Sequence, residues 1–393
     1  MIDDPSMKRG EAQSLNAIYQ QVGKLTRSRR SMGHKLALKF SLLSFLLIWV
    51  TCSNCLHAGV YGYADLDGDG YLDEIDLSGF TVAVFHPRTS TTNYYEHPDL
   101  VDISISNIAN TDGTPGNSII VLYTKAYTLT KGVEVIHDRT GVRNTYEYPG
   151  ATALSISSLA DTDGTPGQKI ITLASEPSQV SIDVIHDGQA TRNSYPYPDT
   201  TGLSIAKVVN TDGMPGNEIV VLYTKASTTA KAIDVIHDRT GVRNTYEYPG
   251  ATALSISYLA DTDGTPGQKI ITLASEPSQV SIDVIHDGQA TRNSYPYPDT
   301  IYLSIADVED TDGIPGNEIV VLYTKAYTTA KAIDVIHDAT ESRNTYDFGV
   351  VAGLSINDIT DYDGVPGAEI CVHWWAGTNS GDKLIVDRTV IPQ

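Results

Sequence analysis

Residues 153–198 read ALSISSLADTDGTPGQKIITLASEPSQVSIDVIHDGQATRNSYPYP. In this stretch LSISSLA alternates apolar and polar positions, the period of a half-buried strand. DTDGTPG is a turn, KIITLAS a second strand and SEPSQ a second turn. VSIDVIHD is a third strand, GQA a third turn, and TRNSYPYP a fourth strand. The prolines put that last strand at an outer edge, where a missing N–H is tolerated. No segment shows helical periodicity over a useful length.

The same unit recurs along the chain. Its turn appears as DLDGDG from Asp65, NTDGTPG from Asn110, DTDGTPG from Asp161 and NTDGMPG from Asn210. It continues as DTDGTPG from Asp261, DTDGIPG from Asp310 and DYDGVPG from Asp361. The third strand ends in FHP at Phe85, in IHD at Ile136, Ile185, Ile236, Ile285 and Ile336, and in IVD at Ile385. Residues 141–200 and 241–300 differ only at Ser158 and Tyr258, so a two-unit block was copied whole. Four strands per unit of roughly 50 residues, seven times over, predicts an all-β chain: a seven-bladed β-propeller of four-stranded antiparallel blades. A closed ring has no exposed ends, and the repeats show no polar caps of the kind an open array needs. The last unit carries only a short tail after IVD, so side-chain packing between blades 7 and 1 is expected to close the ring.

The first 58 residues are a different kind of sequence. From Met32 a basic start leads into the apolar run FSLLSFLLIWVT, residues 40–51, and then to the small Ala58. The run is short for a bilayer span and reads as a secretory signal cleaved near Ala58. A retained signal anchor is the alternative. The expected organisation is therefore a leader over 1–58 and a propeller over 59–393, secreted or periplasmic, without a stable membrane span. Cys52 and Cys55 fall in the leader, which leaves Cys371 alone and no internal disulfide.

The chain carries 27 Lys and Arg against 48 Asp and Glu, a net charge of −21. The leader holds 8 and 3 of these, which leaves 19 against 45 in residues 59–393. So acidic a surface repels phosphates and excludes nucleic acid as a partner.

Asp65-Leu66-Asp67-Gly68-Asp69-Gly70-Tyr71-Leu72-Asp73 matches D-x-D-G-D-G-x-x-D between two short strands. It resembles the FG-GAP and VCBS repeats of integrin α-subunit propellers and secreted microbial proteins. The resemblance implies Ca²⁺ in the loop between the first and second strands of a blade. The residues agree: Asp65, Asp67 and Asp69 supply carboxylates, with the Tyr71 carbonyl and Asp73 completing an oxygen shell. The other loops depart from the pattern. Blades 4, 6 and 7 keep two or three acidic or amide groups, Asn210, Asp212 and Glu218, Asp310, Asp312 and Glu318, and Asp361, Asp363 and Glu369. Each is either a weaker Ca²⁺ site or a turn in which Asp or Asn binds its own backbone. In blades 3 and 5 Lys169 and Lys269 stand at the last ligand position, and a lysine there replaces the ion.

His86, His137, His186, His237, His286 and His337 are equivalent, and five precede an aspartate. A structural His–Asp network repeated once per blade is expected, with a pH switch or a histidine ring holding a transition metal as the alternatives. Arg143, Arg192, Arg243, Arg292 and Arg343 are expected to tie the third strand to the fourth. Trp374 and Trp375 break the repeat in blade 7. They are either seam fillers or a platform for a sugar or protein partner. No nucleophile elbow, zinc-protease motif or phosphate loop is present, so no enzymatic activity is expected. The expected function is a monomeric, Ca²⁺-stabilised binding or adhesion module for a protein or a glycan. A lectin with sugar sites between blades, or a polysaccharide hydrolase or lyase on the same scaffold, is the alternative.

Overall fold

The computed structural model describes residues 60–387. The leader lies outside the described residues. Seven antiparallel sheets follow one another along the chain, the blade order of a seven-bladed β-propeller. Six have four strands in sequence order, and the last has three.

Blade 3 shows how the sequence makes a blade. Its strands are Ala153–Ala160, Lys169–Ser175, Gln179–His186 and Thr191–Pro198. β-Branched residues fill the two central strands, where both faces are covered. Ile170, Ile171, Ile182, Val184 and Ile185 are fully buried. Pro196 and Pro198 lie in the outer strand, as expected. The first strand bulges between the partners of Ile171 and Thr172, and all seven blades break register in this strand. A bulge adds local twist and re-aims the chain entering the metal-type loop.

Alternate side chains of a blade face opposite neighbours, so each hydrophobic core forms between two blades. Six such cores join blades 1 to 7 in order, and none among the described residues joins blade 7 to blade 1. The loops tell the same story. The proline of each loop covers the glycine of the loop before it: an added Cβ on Gly113 (φ +75°) would meet Pro166 Cβ at 2.6 Å. The equivalent Gly364 of blade 7 meets nothing within 4 Å, and blade 1 has Gly70 where the other loops have proline.

The outward faces of the end blades are partly polar. Where blade 2 turns Ile119, Val121 and Tyr123 towards its predecessor, blade 1 has Glu74, Asp76 and Ser78. Where blade 2 turns Leu122 and Val133 towards its successor, blade 7 has His373 and Asp382, which pair at 2.6 Å. Leu384, at the place of the fully buried Val135, is 48% exposed. Polar caps are thus present at both ends, against the sequence expectation. They were hidden because each lies at single alternate positions of a strand whose other face is still apolar.

Candidate metal sites

The loop between first and second strands is set by its own side chains. In blade 1 Asp65 accepts N–H bonds from Gly68 at 2.7 Å and Gly70 at 3.0 Å. Asp67 accepts from Asp69 N at 3.0 Å, and Asp69 from Tyr71 N at 2.8 Å. That last bond lowers the Asp69 carboxyl below its usual range. One oxygen each of Asp65, Asp67 and Asp69 lies within 4.8 Å of the others, as a bound cation requires. Asp73 forms a second group with Asp67 and His86. Its Oδ2 takes the Leu66 N–H at 2.9 Å, and its Oδ1 lies 2.8 Å from His86 Nδ1. Tyr71 has its side chain 57% exposed under Arg88.

Blades 4 and 6 repeat this second group with glutamate in the Asp73 place: Asp212, Glu218 and His237, and Asp312, Glu318 and His337. Asn210 and Asp310 stay outside these groups, their Oδ1 atoms capping Gly213 N at 2.6 Å and Gly313 N at 2.7 Å. In blade 7 Asp361, Asp363 and Glu369 come together without histidine, since Val386 stands in its place. Sequence reasoning missed the histidines as members of these groups. The signal was there: each lies on the third strand, paired against the strand that follows the loop.

In blades 3 and 5 an ammonium fills the loop. Lys169 Nζ donates to Asp161 Oδ1 at 3.2 Å, Thr165 O at 2.7 Å, Thr165 Oγ1 at 2.9 Å and Gly167 O at 3.0 Å, and it pairs with Asp163. Lys269 makes the same contacts with Asp261, Thr265, Gly267 and Asp263. Burial works to raise the Asp163 carboxyl, but Lys169 and Thr165 outweigh it and bring it down to about 2.

The histidines face their own blade's loop through Nδ1 and the next blade through Nε2. Asp238, at the end of the third strand of blade 4, is 3% exposed. From blade 3 it receives Asn193 Nδ2 at 2.9 Å, the Tyr195 hydroxyl at 3.0 Å and the Thr162 hydroxyl at 2.7 Å. His186 Nε2 lies 2.9 Å from it. The same clasp centres on Asp187, Asp287 and Asp338, with His137, His237 and His286 as imidazole partners. Blade 1 sends His86 to Asp138 at 2.9 Å, and blade 6 sends His337 to Asp387 at 2.9 Å. Among the described residues no such clasp leaves blade 7 or enters blade 1, which have Val386 and Pro87 at those positions. Four of the arginines tie third to fourth strand, among them Arg343 to Asp334 at 3.4 Å and Arg243 to Asp234 at 3.6 Å, while Arg192 lies over Tyr148 and donates to Glu147 O of the preceding blade at 3.0 Å.

The clasp makes stability depend on pH. The bond to Asp238 raises His186 above its ordinary value, and that to Asp187 raises His137 likewise. Burial pushes Asp238 upward, but His186, Asn193 and Thr162 outweigh it and the carboxyl ends low. A raised imidazole stabilises fully below about pH 6.5 and loses its effect as pH climbs through the raised value. A lowered carboxyl stabilises above about pH 3.9 and loses its effect as pH falls through the lowered value. Thermal midpoints measured in chelator are expected to be highest between about pH 4 and 6.5 and to fall by pH 9. A midpoint unchanged from pH 6 to 9 would contradict the charged clasp.

Trp374 packs, partly buried, against the core of blades 6 and 7, and Trp375 is 39% exposed. A Cβ on Gly353 would overlap the Trp375 ring, so that glycine makes room for it.

No protein-family model matches the chain, and no curated protein matches it. Among solved structures, a mutant of the Synechocystis apocarotenoid oxygenase matches with 12% identity, 75% of this chain, 72% of that one and a TM-score of 0.28. A chimera of that oxygenase with RPE65 matches with 10% identity, 74% and 71% coverage and a TM-score of 0.27. Another such chimera gives 11%, 85%, 69% and 0.23. The expectation that the chain is not an enzyme is corrected by these neighbours, whose names are those of an oxygenase and its chimeras. At these TM-scores they assign this chain no reaction.

Proposed function

We propose that the chain is a secreted or surface-exposed binding scaffold of the FG-GAP and VCBS kind, stabilised by Ca²⁺ and directed at a protein or glycan ligand. The observation that carries the calcium reading is the pair of lysines. Where a blade has Lys169 or Lys269, the ammonium sits among loop oxygens; where blade 1 has Asp73, three further carboxylates converge with no lysine. The loop is built around positive charge, and the all-oxygen group Asp65, Asp67 and Asp69 suits a hard cation.

Chelator is expected to lower the thermal midpoint of the chain, excess Ca²⁺ to restore it, and Asp67→Ala to mimic the chelator. An unchanged midpoint would end the calcium reading.

The glycan alternative has its own support. Cavities of about 310 and 400 Å³ recur at the junctions of blades 5 and 6 and of blades 3 and 4. The first is lined by Pro296, Tyr297, Asp299, Tyr323, Tyr327 and Arg343 among others, and Tyr327 is 86% exposed at its rim. An exposed phenol ring beside acceptors and donors suits a pyranose. Glycan-array binding lost in Tyr327→Ala would favour this ligand, and an empty array would remove it.

A further inference from the structure

We propose that blades 4 and 6 hold a borderline first-row divalent cation, of the Zn²⁺ or Mn²⁺ kind, on Asp212, Glu218 and His237 and on Asp312, Glu318 and His337. This goes beyond the calcium reading, which concerns the all-oxygen loop of blade 1.

The imidazole is set as a ligand. His237 Nε2 lies 2.9 Å from Asp287 Oδ2, and its Nδ1 lies 3.4 Å from Asp212 Oδ2 and 3.7 Å from Glu218 Oε1. With its Nε2–H on Asp287, the ring turns Nδ1 towards two carboxylates, where a cation that displaces the Nδ1 proton meets three donors. A carboxylate behind a histidine in this way fixes the ring and raises its basicity as a metal ligand. His337 repeats the arrangement, with Asp387 at 2.9 Å behind it and Asp312 and Glu318 at 3.3 and 3.7 Å in front.

Glu218 is 4% exposed. Its Oε2 takes the Thr211 N–H at 2.7 Å and the Thr211 hydroxyl at 3.2 Å, while Oε1 faces His237 beyond hydrogen-bond range. Asp212 and Glu218 in front of the ring and Asp287 behind it outnumber the single charge of a protonated imidazole, so a further cation is favoured between them. Bonds of about 2.0–2.2 Å to one ion space tetrahedral ligands by roughly 3.4 Å, close to the separations found here.

The neighbouring blades supply the second observation. Lys169 and Lys269 occupy the sequence position of Glu218 and Glu318, eight residues after the loop begins, and carry a cation into the loop. At this position blades 3 and 5 add a positive charge to the loop and blades 4 and 6 add a negative one. The metal differs from that of the Asp65, Asp67 and Asp69 group because its donors differ. Met214 and Ile314 replace the third loop carboxylate, Asp69, which leaves too few oxygens for Ca²⁺. A nitrogen donor with two carboxylates suits first-row cations.

The test uses the full chain and its Glu218→Lys/Glu318→Lys double variant. That variant installs the loop chemistry already present in blades 3 and 5, and circular dichroism checks its fold. Co²⁺ titration followed by visible absorption is expected to show two equivalents in the parent that the double variant lacks, undisturbed by tenfold excess Ca²⁺. Lys169→Glu is expected to add one equivalent, because Asp163 and His186 are already in place. Equal Co²⁺ stoichiometry in parent and double variant, or no gain from Lys169→Glu in a folded protein, would overturn the proposal. Calcium binding at blade 1, read separately from Asp67→Ala, fails or holds on its own.

Discussion

Asp238→Ala is expected to destabilise the chain by about 3–5 kcal/mol, the usual cost of removing one partner from a buried charged network. Its carboxylate collects three hydrogen bonds and the His186 imidazole, all from the preceding blade. Truncation strands each of those donors at a junction closed to water. The loss also lies between two blades, so it weakens the coupling on which a repeat array depends. Asp238→Asn keeps the shape and one acceptor oxygen, enough for Asn193 and Tyr195, and is expected to cost less than Asp238→Ala. Exposed Asp102→Ala, as a control, is expected to stay within about 0.5 kcal/mol. Urea unfolding followed by circular dichroism measures all three, and a cost for Asp238→Ala near that of the control would remove the clasp from the account.

The second large effect concerns blade number. Residues 141–240 span one copied block, and deleting them rejoins Thr140 to Gly241 across an identical sequence. Blade 2 would then meet blade 5 through the same clasp residues that it now shows blade 3. Six inter-blade cores, polar end faces, and clasps that neither leave blade 7 nor enter blade 1 describe an array whose junctions are local. The five-blade variant is therefore expected to fold cooperatively and remain monomeric, with a lower midpoint because two junctions are gone. Loss of the folded state, seen as a collapsed β-signal by circular dichroism, would show that blade 7 and blade 1 need each other.

The blades were legible because their signals are local. Alternation in LSISSLA, the glycines of DTDGTPG and the edge prolines of TRNSYPYP each act over a few residues, and repetition confirms them. The lysine substitutions were legible too, since charge reversal at a ligand position has one simple reading. The partner of each histidine was not. His186 stands next to Asp187 in sequence, yet the strand alternation turns the two apart, and Asp187 serves His137 while His186 reaches Asp238. Nor did composition show that His237 shares a group with Glu218. That follows from the pairing of second and third strands, which sets Ile219 opposite Ile236 and so brings the residues beside them together. The polar caps of blades 1 and 7 escaped notice because they need the register to reveal which face each residue takes.

Loops built around a cation take it from lysine in blades 3 and 5 and, as proposed above, from a metal ion in blade 1. Metal content of the purified chain, measured by inductively coupled plasma mass spectrometry after dialysis against trace Ca²⁺, tests this most directly. At least one bound Ca²⁺ per chain is expected, lost in Asp67→Ala and retained in Asp163→Ala, whose loop is served by Lys169. Parent and Asp67→Ala proteins with the same calcium content, or a parent with none, would contradict it.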